Sequence, residues 1–425
     1  MNDFAMKKFW PVIGIVVLFV APLLAQSTRV WVLRPSGEMV EYDPSTFAVR
    51  QTVKVPAAAV KMPQGVAVNR AGQILFAPVL TLPLSEDEAG ELHNVWLWNG
   101  KAGSTIDQGV GRRTAKEGSN VAVTDVAPVA YLSADGRHLF WFASEQRRLQ
   151  REDVDLSTST TWQVWRTDLA GGAREDMDSE KLPDCRCTTG SCEETCPAEV
   201  VWVPEGGVGK FFVVTQFVAA QMQALYKSSA RYDEQAGKFQ ATAMAAPLQR
   251  VLDAAADGNV IVEAMPDTAC CGWVNQSNDQ TLLVKDGKTL TVFDEQVAYK
   301  NSDYDVSFFT AVAKISPESG FVAMTTSATA RANQPIQLAE QGQANPEESA
   351  SIRKALAELP AVEVKSVEDA PKSVAHLPHA QLVGWVSEKE VLIVEDHLLV
   401  VYNIATKARR KSGVRVEDAA HVFLR

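Results

Sequence analysis

The chain has 425 residues with a formal net charge of −11; 46% of its residues are hydrophobic and 22% charged. That composition is ordinary for a globular protein. The acidic balance argues against a nucleic-acid partner, which calls for clustered basic residues. Beyond the first 28 residues no stretch is apolar enough to span a membrane.

Residues 1–25 read as a signal peptide. Lys7 and Lys8 supply positive charge, Phe9 to Ala25 is an apolar run, and Ala25 is a small residue suited to cleavage. This predicts an exported protein, periplasmic or extracellular, with no stable membrane span after cleavage. Retention of the run as a single-span anchor is the alternative. Residues 26–425 are expected to form a single all-β domain.

The segment RVWVLRPSGEMVEYDPSTFAVRQTVKVP (29–56) reads as three strands, and the last ten residues, VEDAAHVFLR (416–425), as a lone strand. A closed ring of four-stranded units uses such a strand to complete the first unit. Val422 to Leu424 are then expected innermost, beside Val30 to Leu33.

Between these ends one pattern recurs: an apolar alternating strand, a turn carrying Gly, Asn or Asp, and a second apolar strand. It is seen in PQGVAVNRAGQILFAPV (63–79), PVAYLSADGRHLFWFAS (128–144), FFTAVAKISPESGFVAMTT (308–326) and AQLVGWVSEKEVLIVED (380–396). Alternation at period 2 puts one face of each strand in a core, and the turn residues suit hairpins. Third strands such as NVWLWNGKAG (94–103), WQVWRTDLAGG (162–172) and LLVVYNIATK (398–407) follow. Four antiparallel strands per unit, repeated radially, predict a β-propeller. The expected blades are 29–57 with 416–425, then 63–115, 128–182, 198–245, 247–298, 306–367 and 378–414. Seven is the expected count. Six or eight are the alternatives, because residues 247–272 also read as a separate short hairpin.

Two segments break the pattern. Residues 327–377 are polar and are read as an insertion with one short helix over NPEESASIRKALAELP (345–360). Asn345 and Pro346 suit a helix start, and Ile352, Ala355, Leu356 and Leu359 form one apolar stripe. The other break is the cysteine-bearing loop 180–197.

Segments such as MVEYDPSTFAVRQTVKVP, SADGRHLFWFAS and VVYNIATK resemble the repeats of bacterial exported propellers of the YVTN, NHL and WD-repeat-like kind. The resemblance implies a turn of the SPDG type between the inner strands, matched by Ala134, Asp135 and Gly136. It implies a D-x-x-T-G-K type turn after the third, where Asp43, Thr46, Asp168, Gly171, Asn403 and Thr406 fall. These motifs specify fold and not activity.

The six cysteines fall in two places: Cys185, Cys187, Cys192 and Cys196 in DCRCTTGSCEETCP, and Cys270 with Cys271 in TACCGW. In an exported chain they read as disulfides, with at least one bond tying loop 185–196 to Cys270 or Cys271. Their spacings match no common zinc or iron–sulfur pattern.

Catalytic motifs are missing: no G-x-S-x-G element, no H-E-x-x-H, no phosphate loop followed by a helix. His376 and His379 form H-x-x-H across a proline and are read as a loop leading into the last unit. The acidic loop SEDEAGE (85–91) is read as a solvated insertion. Asp303, Tyr304 and Asp305, before the inner strand of the sixth unit, are the best candidates for a polar ligand or metal site at the central channel. No organic cofactor is expected, a divalent cation such as calcium being the only ion these groups suggest. The reading is therefore a binding or scaffold module for a protein or small-molecule ligand. The alternative is an exported metal-dependent hydrolase or lyase with its site at the channel.

Overall fold

The computed structural model describes residues 28–425 except 70, 78–94, 107–113, 116–120, 126–128, 134–135, 151–155, 177–184, 188–197, 206–207, 220–222, 234–237, 243–249, 256, 265–279, 295–307, 329–349, 351–353 and 369. The described chain is almost entirely β-strand, arranged in seven antiparallel sheets that follow one another in sequence.

The first sheet contains β1 (Val30–Leu33), β2 (Glu38–Tyr42) and β3 (Val49–Lys54). A short helix, α1 (Ala57–Lys61), leads to the second sheet. That sheet has β4 (Val66–Val68), β5 (Ile74–Phe76), β6 (Val95–Trp98) and β7 (Gly103–Ile106). The third contains β8 (Thr114–Ala115), β9 (Val121–Asp125), β10 (Val129–Leu132), β11 (His138–Gln150), β12 (Leu156–Asp168), β13 (Arg174–Asp176) and β14 (Cys185–Cys187). The fourth is β15 (Ala198–Glu205), β16 (Val208–Ala219), β17 (Gln223–Asp233) and β18 (Lys238–Thr242). The fifth is β19 (Arg250–Ala254), β20 (Val260–Ala264), β21 (Gln280–Lys285) and β22 (Lys288–Asp294). The sixth is β23 (Phe308–Ile315), β24 (Phe321–Ala328), β25 (Ala361–Ser366) and β26 (Lys372–Leu377). The seventh is β27 (Ala380–Ser387), β28 (Glu390–Glu395), β29 (Leu398–Asn403) and β30 (Arg409–Arg415).

The last strand, β31 (Val422–Leu424), returns to the first sheet, whose order is β3-β2-β1-β31. Leu424, Phe423 and Val422 stand opposite Val30, Trp31 and Val32. Backbone bonds between Arg29 and Arg425 extend the pairing by one residue at each end.

Strands with both faces buried explain why the sequence shows apolar runs such as VWVL and VLIV. Alternate residues serve opposite neighbours. Val30, Val32, Val40 and Tyr42 pack against Leu392, Val394, Leu399 and Val401 of the seventh sheet. Trp31, Leu33, Met39 and Val53 pack against Val66, Val68, Ile74 and Phe76 of the second. The seventh sheet repeats the device, with Val391, Ile393, Val400 and Tyr402 turned to the sixth. At roughly 1.5–3 kcal/mol per fully buried side chain, these seams dominate stability.

Two boundaries and one helix differ from the sequence reading. Thr114–Ala115, expected in the second unit, pairs with β9 of the third sheet. Residues 361–377, expected in the insertion, are β25 and β26, so the insertion lies between Ala328 and Ala361. Helix α1 was not anticipated, although its Ala-Ala-Ala-Val-Lys sequence is rich in helix formers. The hairpin of β19 and β20 belongs to the same sheet as β21 and β22. The third sheet is extended because β11 and β12 run 13 residues each. Their far halves carry β9 and β14 as extra neighbours.

The polar turns flagged in the sequence join the outer two strands of four sheets. Asp43 Oδ1 accepts the N–H of Ser45 at 2.8 Å and of Thr46 at 3.0 Å. Asn403 Oδ1 likewise accepts from Ala405 at 3.1 Å and Thr406 at 2.9 Å. Asn99 and Asp168 do the same in their own turns. Four residues after three of these acceptors the backbone is left-handed, at Phe47 (φ 56), Gly172 (φ 68) and Lys407 (φ 59). The side-chain acceptor holds the turn in place of a backbone carbonyl. The Arg50 guanidinium, followed by the Thr46 and Ser45 donors, holds the Asp43 carboxyl well below the usual carboxylate range. Asp168 is lowered too, by the N–H groups of Ala170 and Gly171.

Deleting residues 422–425 removes buried Val422 and half-buried Phe423 and Leu424. It is expected to cost at least ~3 kcal/mol in urea unfolding, whereas an unchanged midpoint would show that β31 is an ordinary tail. Because Asp43 loses its proton more readily folded than unfolded, its contribution is present above about pH 4 and is lost as the pH falls further. The stability gap between wild type and Asp43→Asn should therefore shrink from about pH 6 to about pH 3; a pH-independent gap contradicts the assignment.

Candidate functional site

Among the described residues a cavity of about 510 Å³ with several ionisable side chains lies between the outer parts of the fifth and sixth sheets. One wall is the end of β22, Thr291 to Asp294. The other is built by Thr326 of β24, Ala361, Glu363 and Lys365 of β25, and His376 of β26. Period 2 on β25 explains the division of labour. Ala361, Glu363 and Lys365 line the groove, while Val362 and Val364 turn away into the seam with the seventh sheet.

The roof comes from the insertion. Residues 354–358 are helical, and Ala355, Leu356 and Leu359 pack on Phe308 together with Phe293 and Ala328. These are three members of the stripe expected from the sequence, the fourth, Ile352, lying outside the described residues, and they seat Glu358 over the groove. Two backbone bonds fix the end of the segment: His379 N–H to Glu358 O and Ala380 N–H to Pro360 O, both 2.9 Å.

His376 is the hub. Its Nε2 lies 3.1 Å from Glu358 Oε2 and its Nδ1 3.8 Å from Glu363 Oε2. Glu363 and His376 are cross-strand neighbours in the β25–β26 register. On the far side Lys365 Nζ donates to Val292 O at 2.6 Å, and Gln280 Nε2 donates to Asp294 Oδ2 at 2.8 Å. Phe293, Ala355 and Leu359 supply apolar surface between these groups. The site can hold a small molecule by shape and by charge. Among the described residues no three His, Cys, Asp or Glu side chains are arranged to hold a metal ion.

Asp303, Tyr304 and Asp305 lie outside the described residues, as do Cys192, Cys196, Cys270, Cys271, the acidic loop 85–91 and residues 1–25. Cys185–Cys187 form β14 beside Thr158–Thr160 of β12. The expected loop at His376 and His379 is corrected: His376 stands on an outer strand, and His379 occupies the following turn with φ 58. Proline at 378 follows the last residue of β26, Leu377. Sequence inspection missed the groove because its walls are assembled from segments up to 85 residues apart, Thr291 to His376. The alternation Glu363, Lys365 against Val362, Val364 was the available signal.

Among the described residues no helix is long and apolar enough to cross a membrane. No protein-family model matches the chain, and no curated protein matches it. Similar folds occur among solved structures at low identity. Acylaminoacyl peptidase of Pyrococcus horikoshii aligns over 89% of this chain and 48% of its own, with 11% identity and a TM-score of 0.40. Dipeptidyl peptidase 4 of Porphyromonas gingivalis aligns over 92% of this chain and 58% of its own, with 8% identity and a TM-score of 0.43. The β-propeller domain of the Trilobed protease from Pyrococcus furiosus aligns over 89% and 85%, with 11% identity and a TM-score of 0.38. The chain thus spans about half the length of the two peptidases. The architecture rests on the sheets themselves and not on these likenesses.

Proposed function

We propose that the seven sheets are the blades of a closed, exported β-propeller that works as a binding module, with its ligand seat in the groove between the fifth and sixth sheets. Contacts between first strands support the ring. β31 touches β4, β4 touches β10, β15 touches β19, β19 touches β23, β23 touches β27, and β27 touches β31. The N-terminal apolar run supports the exported address.

One observation carries the binding reading: a ligand-sized groove with an apolar lining and a charged rim. Glu358, Glu363 and Asp294 bring three carboxyl groups, against Lys365 and His376 as the bases. That excess of acid favours a ligand with a cationic nitrogen on an apolar body. A second reading, a hydrolase or lyase using the same groove, draws on the 3.1 Å contact between His376 and Glu358, an arrangement that orients an imidazole for general-base work. Under either reading the ring supplies rigid walls.

The mature chain should show a rise in thermal midpoint of at least ~2 °C with phenethylamine at ~100-fold its Kd. Glu363→Gln should remove most of the rise, and benzoate should give none. Phenethylamine giving no shift and no heat in isothermal titration would sink this assignment.

The same address places the six cysteines in disulfides, with loop 185–196 tied to Cys270 or Cys271. An alkylating reagent applied to the unfolded, non-reduced mature protein is then expected to label no cysteine, and to label all six after reduction. Labelling without reductant removes the disulfide assignment.

A further inference from the structure

The first and seventh sheets meet in a second groove of about 710 Å³, and its electrical character is opposite. It is lined by Arg34, Tyr42, Phe47, Val49, Val414 and Arg415, with Glu38 as the acid on its rim. Glu38 Oε2 accepts from Ser36 Oγ at 2.8 Å. One wall ends in β30, part of ATKARRKSGVR (405–415), which has five basic residues and no acid in a chain of net charge −11.

Internal partners account for part of that charge. Glu395 lies 3.3 Å from Arg409 and 3.7 Å from Lys411, and Glu390 lies 3.8 Å from Arg410. Arg34 and Arg415 make no ion pair among the described residues; Arg34 donates to Tyr42 OH at 2.6 Å. Basic residues on an outermost strand guard against self-pairing, which explains charge on β30. It does not explain the apolar surface beside it. Val49, at 58% exposed, is the one exposed large hydrophobic among the described residues, and it lies in this groove. An apolar patch flanked by two such guanidinium groups is the composition of a recognition surface.

We propose that this groove docks an extended acidic peptide segment of a partner protein. Its carboxylates meet Arg34 and Arg415, and an apolar side chain covers Val49. Charge complementarity selects the occupant, since the guanidinium fork matches a carboxylate. Dimensions select an extended chain: the groove follows β2, whose five residues span ~17 Å at ~3.4 Å each, the length of a four- or five-residue strand. β3 and β30 are the outermost strands of their sheets, so an entering strand finds unpaired backbone groups at hand.

The test is fluorescence anisotropy of the intact mature protein with a labelled peptide of alternating Glu and Leu. Binding is expected, weakening as salt rises. The Arg34→Gln/Arg415→Gln double variant should weaken it about tenfold, and Glu363→Gln, in the other groove, should leave it unchanged. A Lys/Leu peptide should not bind. If the double variant melts early, Val49→Asp at the exposed position takes its place and should repel the acidic peptide. No binding at millimolar peptide, binding indifferent to these variants, or binding to phosphatidylglycerol vesicles in place of peptide would each overturn the proposal.

Discussion

In four sheets the innermost strand, or the approach to it, presents an edge that the preceding sheet partners through a side chain. Asp253 of β19 accepts the N–H of Ile315 on β23 at 2.9 Å and is paired with Lys314 at 3.1 Å. Thr325 of β24 accepts the N–H of Leu382 on β27 at 2.8 Å. Gln381 of β27 accepts the N–H of Ala419, on the approach to β31, at 2.8 Å. Arg425, just past β31, donates to Val68 O on β4 at 2.6 Å. A buried N–H left without such a partner costs about 1–3 kcal/mol. Asp253, Thr325 and Gln381 thus accept an N–H of the next sheet, and Arg425 serves a carbonyl of the next sheet in the same sense. The β31–β1 pairing fits the same rule, because without it β1 would be the exposed inner edge of the first sheet.

A second set of polar contacts ties the turns between first and second strands. Asn69 donates to Ser133 O at 3.3 Å, and Gln73 donates to Gly136 O at 3.2 Å, joining the second and third sheets. Ser319 donates to Asp257 at 2.6 Å between the fifth and sixth. Glu388 accepts from Ser316 at 2.8 Å, Glu318 N–H at 2.7 Å and Gly320 N–H at 3.2 Å between the sixth and seventh. Inner strands and their turns are therefore fastened to their neighbours. Both grooves are lined mainly by the outer strands of their sheets: β22 with β25 and β26, and β2 and β3 with β30. One has been roofed by the insertion helix, and the other leaves Val49 in solvent.

Much of this was legible in the sequence for physical reasons. Period-2 alternation and two-faced burial made the strands visible as short apolar runs. Asx turns at Asp43, Asp168 and Asn403 marked the outer hairpins because only a side-chain acceptor at that position completes the turn. The lone strand VFL at the end had no local partner, which pointed to the start of the chain. Strands β25 and β26 were hidden, since EVKS and KSVAH each bury only one face well and so read as polar insertion. The groove was hidden for a related reason. Its walls come together through inter-sheet packing, and that packing leaves no trace in the spacing of Glu358, Glu363 and His376.

The division of labour along β25 shows how a groove of this kind can change its charge without a change of fold. Val362 and Val364 are fully buried in the seam with the seventh sheet, so replacing either opens a cavity and costs core stability. Glu363 and Lys365, one residue away, face the groove and carry no part of that seam. Substitutions there alter charge at the site at the small cost typical of half-exposed positions. A period of two therefore places seam-packing and groove-lining residues on adjacent positions of one strand. The two grooves can differ in sign of charge because neither sign is imposed by the packing beneath it.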